Sequence, residues 1–287
     1  MSSALATILF GLAASLSWGS GDFCGGLASR RLNSTIVVIC AYSTGFLLLI
    51  GLALIWREVF PSPLDIFWGI LSGLVGGLGL ILFYSALAVG RMGIIAPTSA
   101  ILTAGLPVIF SIFTQGAPSL LQIGGFVAAL LAVVLISSPE REKGRPKGIW
   151  LALISGCCFG GFFILISRIG PHSTFWPLAV ARLSSVVFLL LLTLFRRKNT
   201  SEHSQAEARL GRSVIFLILG SGTLDALGNA FFVLAAHAGR LDVASVLSSL
   251  YPAATVLLAA LLLRERVNRL QGLGILFALI AIPLISF

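Results

Sequence analysis

Charge is what this chain has least of. Only 10% of its 287 residues are Asp, Glu, Lys or Arg, against roughly 25% in an ordinary soluble domain, while 57% are hydrophobic and the mean hydropathy is +1.05. That balance excludes a water-soluble globular domain and leads us to expect an integral membrane protein. The chain also lacks the runs of about ten residues that alternate apolar with polar, which argues against a transmembrane β-barrel. Histidine occurs three times and no HExxH run is present, so neither a metal centre nor a cofactor is expected. The four cysteines, Cys24, Cys40, Cys157 and Cys158, all fall in apolar stretches and read as small core residues. No basic stretch precedes the first apolar run, so the first span is expected to remain in the mature protein.

What is present is a series of apolar runs, at about residues 5–27, 35–56, 65–88, 94–114, 119–137, 148–168, 174–195, 213–236, 242–263 and 270–287. Each is long enough to cross a ~30 Å hydrocarbon core as a helix. The expected fold is therefore an all-α integral membrane protein with ten transmembrane helices. A net charge of +9 would suggest nucleic acid in a soluble protein, but here the basic residues occupy short loops between spans. The expected partner is the lipid bilayer, with no nucleic acid. Loops after the odd-numbered spans hold fifteen Lys and Arg residues, from Arg30 to Arg269, whereas the opposite loops hold only Arg57, Arg168 and Arg240. By the positive-inside rule this puts the basic loops in the cytoplasm and both termini outside.

The chain also repeats itself. Ser72 through Ser137 aligns without gaps on Ser221 through Ser286, placing Gly73 on Gly222, Gly79 on Gly228, Gly90-Arg91 on Gly239-Arg240, Ser99 on Ser248 and Leu121-Gln122 on Leu270-Gln271. Farther upstream, Trp18-Gly19 falls on Phe159-Gly160 and Tyr42 on Arg182. Two five-span units are expected at 1–138 and 148–287, joined by a linker at 139–147. Five is odd, so the second unit starts on the opposite side of the membrane from the first, and the repeats are inverted around a central cavity. Such repeats are a hallmark of secondary transporters, whose substrates bind near the midplane where the halves meet.

Against this background Asp22, in the run WGSGDF, stands out. An intramembrane charge costs roughly 2.5–3.5 kcal/mol at the bilayer centre, so it must face protein, water or a ligand. Gly11, Ser15, Trp18 and Asp22 form one stripe on span 1; Ser221, Asp225 and Asn229 form another on span 8. Spans 4 and 9 add Thr98, Ser99, Thr103, Ser245, Ser248 and Tyr251. These stripes are expected to converge on one cavity, with Trp18, Tyr84, Phe159 and Tyr251 as aromatic walls and Asp22, Ser99, Asp225, Asn229 and Ser248 as polar contacts. Arg182, well inside span 7, is a candidate to bind a substrate carboxylate, to snorkel, or to pair with Asp22 or Asp225, and a carboxylate left over from that pairing is a candidate to take a proton or a cationic substrate group. The serines and threonines have an alternative role as glue between helices, and Gly69, Gly73 and Gly77 read as a close-packing seam. Pro97, Pro107 and Pro252 each remove a backbone donor and allow a kink.

The segments GLAASLSWGSGDFCGGLASR, ALAVGRMGIIAPTSAIL and AGRLDVASVLSSLYPAATVLLAALLLRERVNRLQGLGILFALI resemble the two repeats of EamA-type proteins of the drug/metabolite transporter superfamily. The resemblance implies ten helices in two inverted units around a cavity. It also implies transport of metabolites or amino acids, commonly efflux, as in bacterial amino-acid exporters of the cell inner membrane. Two departures stand out. The acidic residue usual after the fourth helix of a repeat is present as Glu265 but replaced by Gly116 in the first half, and members are usually described with cytoplasmic termini, against the charge count. The leading expectation is a secondary transporter, monomeric or homodimeric, for a small amphiphilic molecule. The alternatives are a membrane-embedded enzyme, although Trp18 and Leu219 stand where a GxSG motif needs its first glycine, and a lipid-handling protein. The charge count predicts that Ser201→Cys, in a cysteine-free background, resists a membrane-impermeant thiol reagent added to intact cells; ready labelling reverses the orientation.

Overall fold

The computed structural model describes residues 3–29, 31–89, 92–136, 148–197, 211–262 and 268–286. The proposed linker 139–147, Ser201 and Glu265 lie outside these. Described elements are all helical: α1 Ser3–Ser29, α2 Ser34–Ile55, α3 Pro63–Val89, α4 Met92–Gln115, α5 Leu120–Ile136, α6 Ile149–Ile166, α7 Phe175–Arg197, α8 Arg212–Ala238, α9 Leu241–Ser248, α10 Tyr251–Leu262 and α11 Arg269–Ser286. Seven of them, α1 to α4 and α6 to α8, are long and apolar enough to cross a membrane, while α5 and α11 are shorter apolar helices. Large apolar side chains such as Leu47, Phe113, Ile154, Leu191, Phe216 and Leu279 are exposed on the outside of the bundle. Such a surface is rare on a soluble monomer and suits lipid.

Helix starts follow from local chemistry. Ser62 and Asp65 form a reciprocal capping box at the start of α3, the Ser62 Oγ accepting from Asp65 N at 3.2 Å and Asp65 Oδ2 accepting from Ser62 N at 3.3 Å, with Pro63 at the first helical position. Ser119 and Gln122 do the same for α5, and Asn268 and Gln271 for α11. The Gln122 and Gln271 match in the sequence repeat is thus a repeated helix start.

The run 242–263, expected as one span, is divided. Backbone bonding tightens at Leu250 and Ala253, whose N–H groups donate three residues back, to Leu247 O at 3.3 Å and to Leu250 O at 2.9 Å, and α10 begins at Tyr251. Pro252 has no N–H to offer Ser248 O, so the ladder cannot continue there. Its counterpart in α4 is Thr103, and α4 runs unbroken.

Packing between the halves is reciprocal. α1 packs on α8 as α6 packs on α3; α3 on α7 as α8 on α2; α4 on α6 as α9 and α10 on α1. α5 meets α11, its own counterpart. Glycines set these approaches. A Cβ on Gly73 would strike Ala181 O and the Ser184 hydroxyl, and one on Gly222 would strike Ala41 O and Thr44. Gly125 lies against Ile285, and Gly274 against Ile136. The same contacts give helix directions. Gly11 lies at Leu247 and Gly19 at Tyr251, so α1 runs parallel to α9 and α10; Gly21 lies at Asp225 and Gly25 at Ser221, so α1 is antiparallel to α8. Gly76 at Phe162 and Gly79 at Cys158 make α3 antiparallel to α6, and Gly69 at Pro177 with Gly73 at Ala181 makes α3 parallel to α7.

Because backbone blocks the added methyl, Gly73→Ala and Gly222→Ala are each expected to lower stability by about 2 kcal/mol. Gly105 and Gly272, which have nothing within 4 Å of a new Cβ, should accept Ala with no loss. Thermal melts in detergent check this; equal behaviour of the two sets removes the seams from the fold's support.

Candidate functional site

A cavity of about 130 Å³ lies between the halves, walled by α1, α2, α3, α4, α6, α7, α8 and α10. Trp18, Asp22, Phe159, Arg182, Asp225, Asn229 and Tyr251, all singled out in the sequence, line it. Trp18 does so from a largely buried position, stacked on Phe163 at 5.3 Å and packed on Phe232 at 5.9 Å. Its ring lies over Gly228, where a Cβ would come within 2.5 Å of Trp18 Cδ1; Phe159 lies over Gly79 in the same way. Trp18 and Phe159 are repeat mates, and so are Gly228 and Gly79. Each half therefore hands the other half's third helix an aromatic ring seated on a glycine.

Three side chains carry the cavity's charge. Arg182, whose side chain is 6% exposed, forms an ion pair with Asp225, and its Nη2 also donates to the Asp225 carbonyl at 3.5 Å. The guanidinium sits over the Tyr42 ring, 4.3 Å from its centre, a cation–π arrangement. This ties α2, α7 and α8 together at mid-depth. Asp22, by contrast, is open to the cavity and has no hydrogen bond or ion pair among the described residues.

The structure places Ser99 and Ser248 elsewhere than the sequence reading put them. Ser99 is buried in the seam between α4 and α6, 3.5 Å from Ser155 Oγ, and Ser248 donates to Gly11 O at 3.3 Å in the seam between α9 and α1. Helix contacts at Gly156 and Gly11 consume both faces. Thr255 likewise bonds Gly19 O. The side chain of Tyr84 lies outside the described residues. Conversely, Tyr42, Phe162 and Ser185 line the cavity without having been expected there. Tyr42 had one signal, its alignment with Arg182 in the repeat. Nothing separates Phe162 from the other nineteen phenylalanines by sequence alone.

One end of the cavity is closed. Toward the 56–62, 116–119, 167–174 and 239–240 loops lies a cluster of Ile166, Ile169, Leu178, Phe232 and Leu241. Beyond it, polar contacts join the halves. Glu58 accepts from the N–H groups of Phe175 and Trp176 at 2.9 and 3.0 Å, capping α7. Asp65 accepts from Gly170 N at 2.7 Å, Arg240 donates to Gln115 O and Gly116 O, and the Arg168 guanidinium stacks on Phe110 at 4.8 Å.

A two-unit helical bundle with lipid-suited flanks and a charged, aromatic cavity between the units defines a class: polytopic membrane proteins that handle small molecules. The EamA-like transporter family matches over residues 5–138 and 146–287. The chain belongs to that family, within the drug/metabolite transporter superfamily. No curated protein sequence matches it. One crystal structure, 16% identical, superposes with a TM-score of 0.76 over 97% of this chain and 95% of that one, which shows a shared fold.

Removing one member of the Arg182 and Asp225 pair strands the other inside the bundle. Asp225→Leu is expected to cost about 3 kcal/mol, and the double replacement Arg182→Met with Asp225→Leu less than the sum of the two single effects. Detergent melts of the double-mutant cycle read this out; strict additivity rules out the coupling.

Proposed function

We propose that this protein is a secondary transporter that moves a small amphiphilic metabolite across the cell membrane by alternating access. The observation that carries the reading is the cavity itself: it sits between two reciprocally packed halves, closed at one end, and holds an unpaired carboxylate beside an ion pair. In this proposal α1 to α5 form the first unit and α6 to α11 the second, within 1–138 and 148–287. Counting the divided α9 and α10 as one crossing gives ten spans. The directions of the glycine contacts support inversion: α1 is parallel to α9 and α10 yet antiparallel to α8, and α3 parallel to α7 yet antiparallel to α6, which holds when α6 runs opposite to α1. Rocking of one half against the other would open the closed end and close the opposite one.

Efflux across the bacterial inner membrane, with the basic loops in the cytoplasm, fits the charge distribution and the family. Trp18, Phe159 and Tyr251 form the aromatic walls, Asn229 a polar contact, and Arg182 with Asp225 the fixed charge pair. Asp22 is the residue proposed to couple transport to protons, since of the three charged groups among the described lining residues it is the one with no partner among the described residues.

Counterflow of radiolabelled amino acids and related metabolites in proteoliposomes tests the reading, with saturable exchange expected for at least one compound. Asp22→Asn should lose the response to an imposed pH gradient in whatever exchange it retains. A variant that keeps the wild-type response assigns Asp22 to packing instead.

A further inference from the structure

The charge of the cavity bears on what it takes. Among the described residues two carboxylates and one guanidinium line it, a formal net charge of −1, and the positive member is already committed. Arg182 faces Asp225 in an ion pair, donates to the Asp225 backbone and lies under the Tyr42 ring. A substrate carboxylate would have to pull Arg182 from this pairing and strand Asp225, or enter a site whose remaining charge, Asp22, repels it. Either course leaves an uncompensated anion in a low-dielectric interior.

The walls favour the same sign of charge. Trp18, Tyr42, Phe159, Phe162 and Tyr251 turn aromatic surface to the cavity. Aromatic surface attracts a cation where water is displaced, and it accommodates an apolar body equally well. Size narrows the class further, because about 130 Å³ falls below the ~300–1,000 Å³ of sites for drug-sized molecules.

We infer that the cavity selects a small organic monocation, an amine with an apolar or aromatic body and no carboxylate, whose ammonium group pairs with Asp22. This rests on the transport reading for its biological meaning, but the binding preference stands or falls by itself. In this arrangement Asp22 supplies the uncommitted counter-charge among the described residues, the Arg182 and Asp225 pair serves as a fixed structural tie, and the aromatic walls hold the body of the amine. An amino acid carries the same ammonium group but adds a carboxylate for which the described lining offers no free cation.

The test compares three molecules of one shape and different charge: phenethylamine, phenylalanine and 3-phenylpropionate. Titration calorimetry on the purified, detergent-solubilised protein is expected to show saturable phenethylamine binding, at least tenfold tighter than binding of either carboxylate. Asp22→Asn should erase that preference and Asp22→Glu should restore it, with melting curves run alongside to confirm folding. Should the Asn variant fail to fold, the wild-type comparison alone decides. Phenylalanine or 3-phenylpropionate binding as tightly as phenethylamine overturns the inference, as does absence of phenethylamine binding to a folded wild-type protein or an Asn variant that keeps the preference. Counterflow of labelled phenethylamine in proteoliposomes separates this from the transport reading. Amine-selective binding without exchange sinks transport and leaves the site's preference standing, whereas exchange of amino acids without amine preference does the reverse.

Discussion

Helices in lipid gain nothing from the hydrophobic effect by meeting one another, so close backbone approach has to hold them together. In this bundle that approach is made between halves as well as within them. Gly73 brings α3 onto α7 and Gly222 brings α8 onto α2; at Gly79 and Gly228 the absent side chain is replaced by an aromatic ring from the other half. Ser185 donating to Gly73 O at 2.8 Å and Ser155 donating to Gly79 O at 2.9 Å add hydrogen bonds on the same lines. The cavity exists because these seams fix the distance between the helices around it. Neither half encloses that space alone, since Trp18, Asp22 and Tyr42 come from the first unit and Arg182, Asp225 and Tyr251 from the second.

Much of this architecture can be read from the chain. The repeat shows itself in glycine and glutamine matches, and the structure supplies the reason: the glycines are contact points and the glutamines are helix caps. Asp22, Asp225 and Arg182 stand out because charge is so scarce. Serine is harder to read. Ser99 and Ser248 match in the repeat as the cavity residues do, but a hydroxyl that bonds a neighbouring helix's backbone leaves the same periodicity as one that faces a ligand. Phenylalanine carries no sign of whether it faces lipid, core or cavity, and so Phe162 was silent. The pairing of Arg182 with Asp225, not with Asp22, depends on the relative rotation of α7 and α8, which no linear spacing encodes.

The Arg182 tie also separates two tasks that could be confused in a site with three charges. Its guanidinium is satisfied by Asp225, the Asp225 carbonyl and Tyr42, all protein groups, so it holds α2, α7 and α8 in register whatever the cavity contains. Asp22 sits on α1 and is open to the cavity. Ionisable residues inside a membrane are costly and face the bundle interior or a cavity, and these three do so in two different ways.

The division between α9 and α10 carries a consequence for energetics. In the proposed transporter, rocking exchanges the shapes of the two halves, and with identical halves the two end states would be related by a two-fold axis and equal in free energy. Here Pro252 interrupts the ladder at a place where its mate Thr103 leaves α4 whole. In the proposed transporter the exchange is between unlike helices, one continuous and one jointed, so its two end states are not equivalent. Under that proposal the occupant's differential affinity for the two poses has to exceed this difference before it can turn the carrier over.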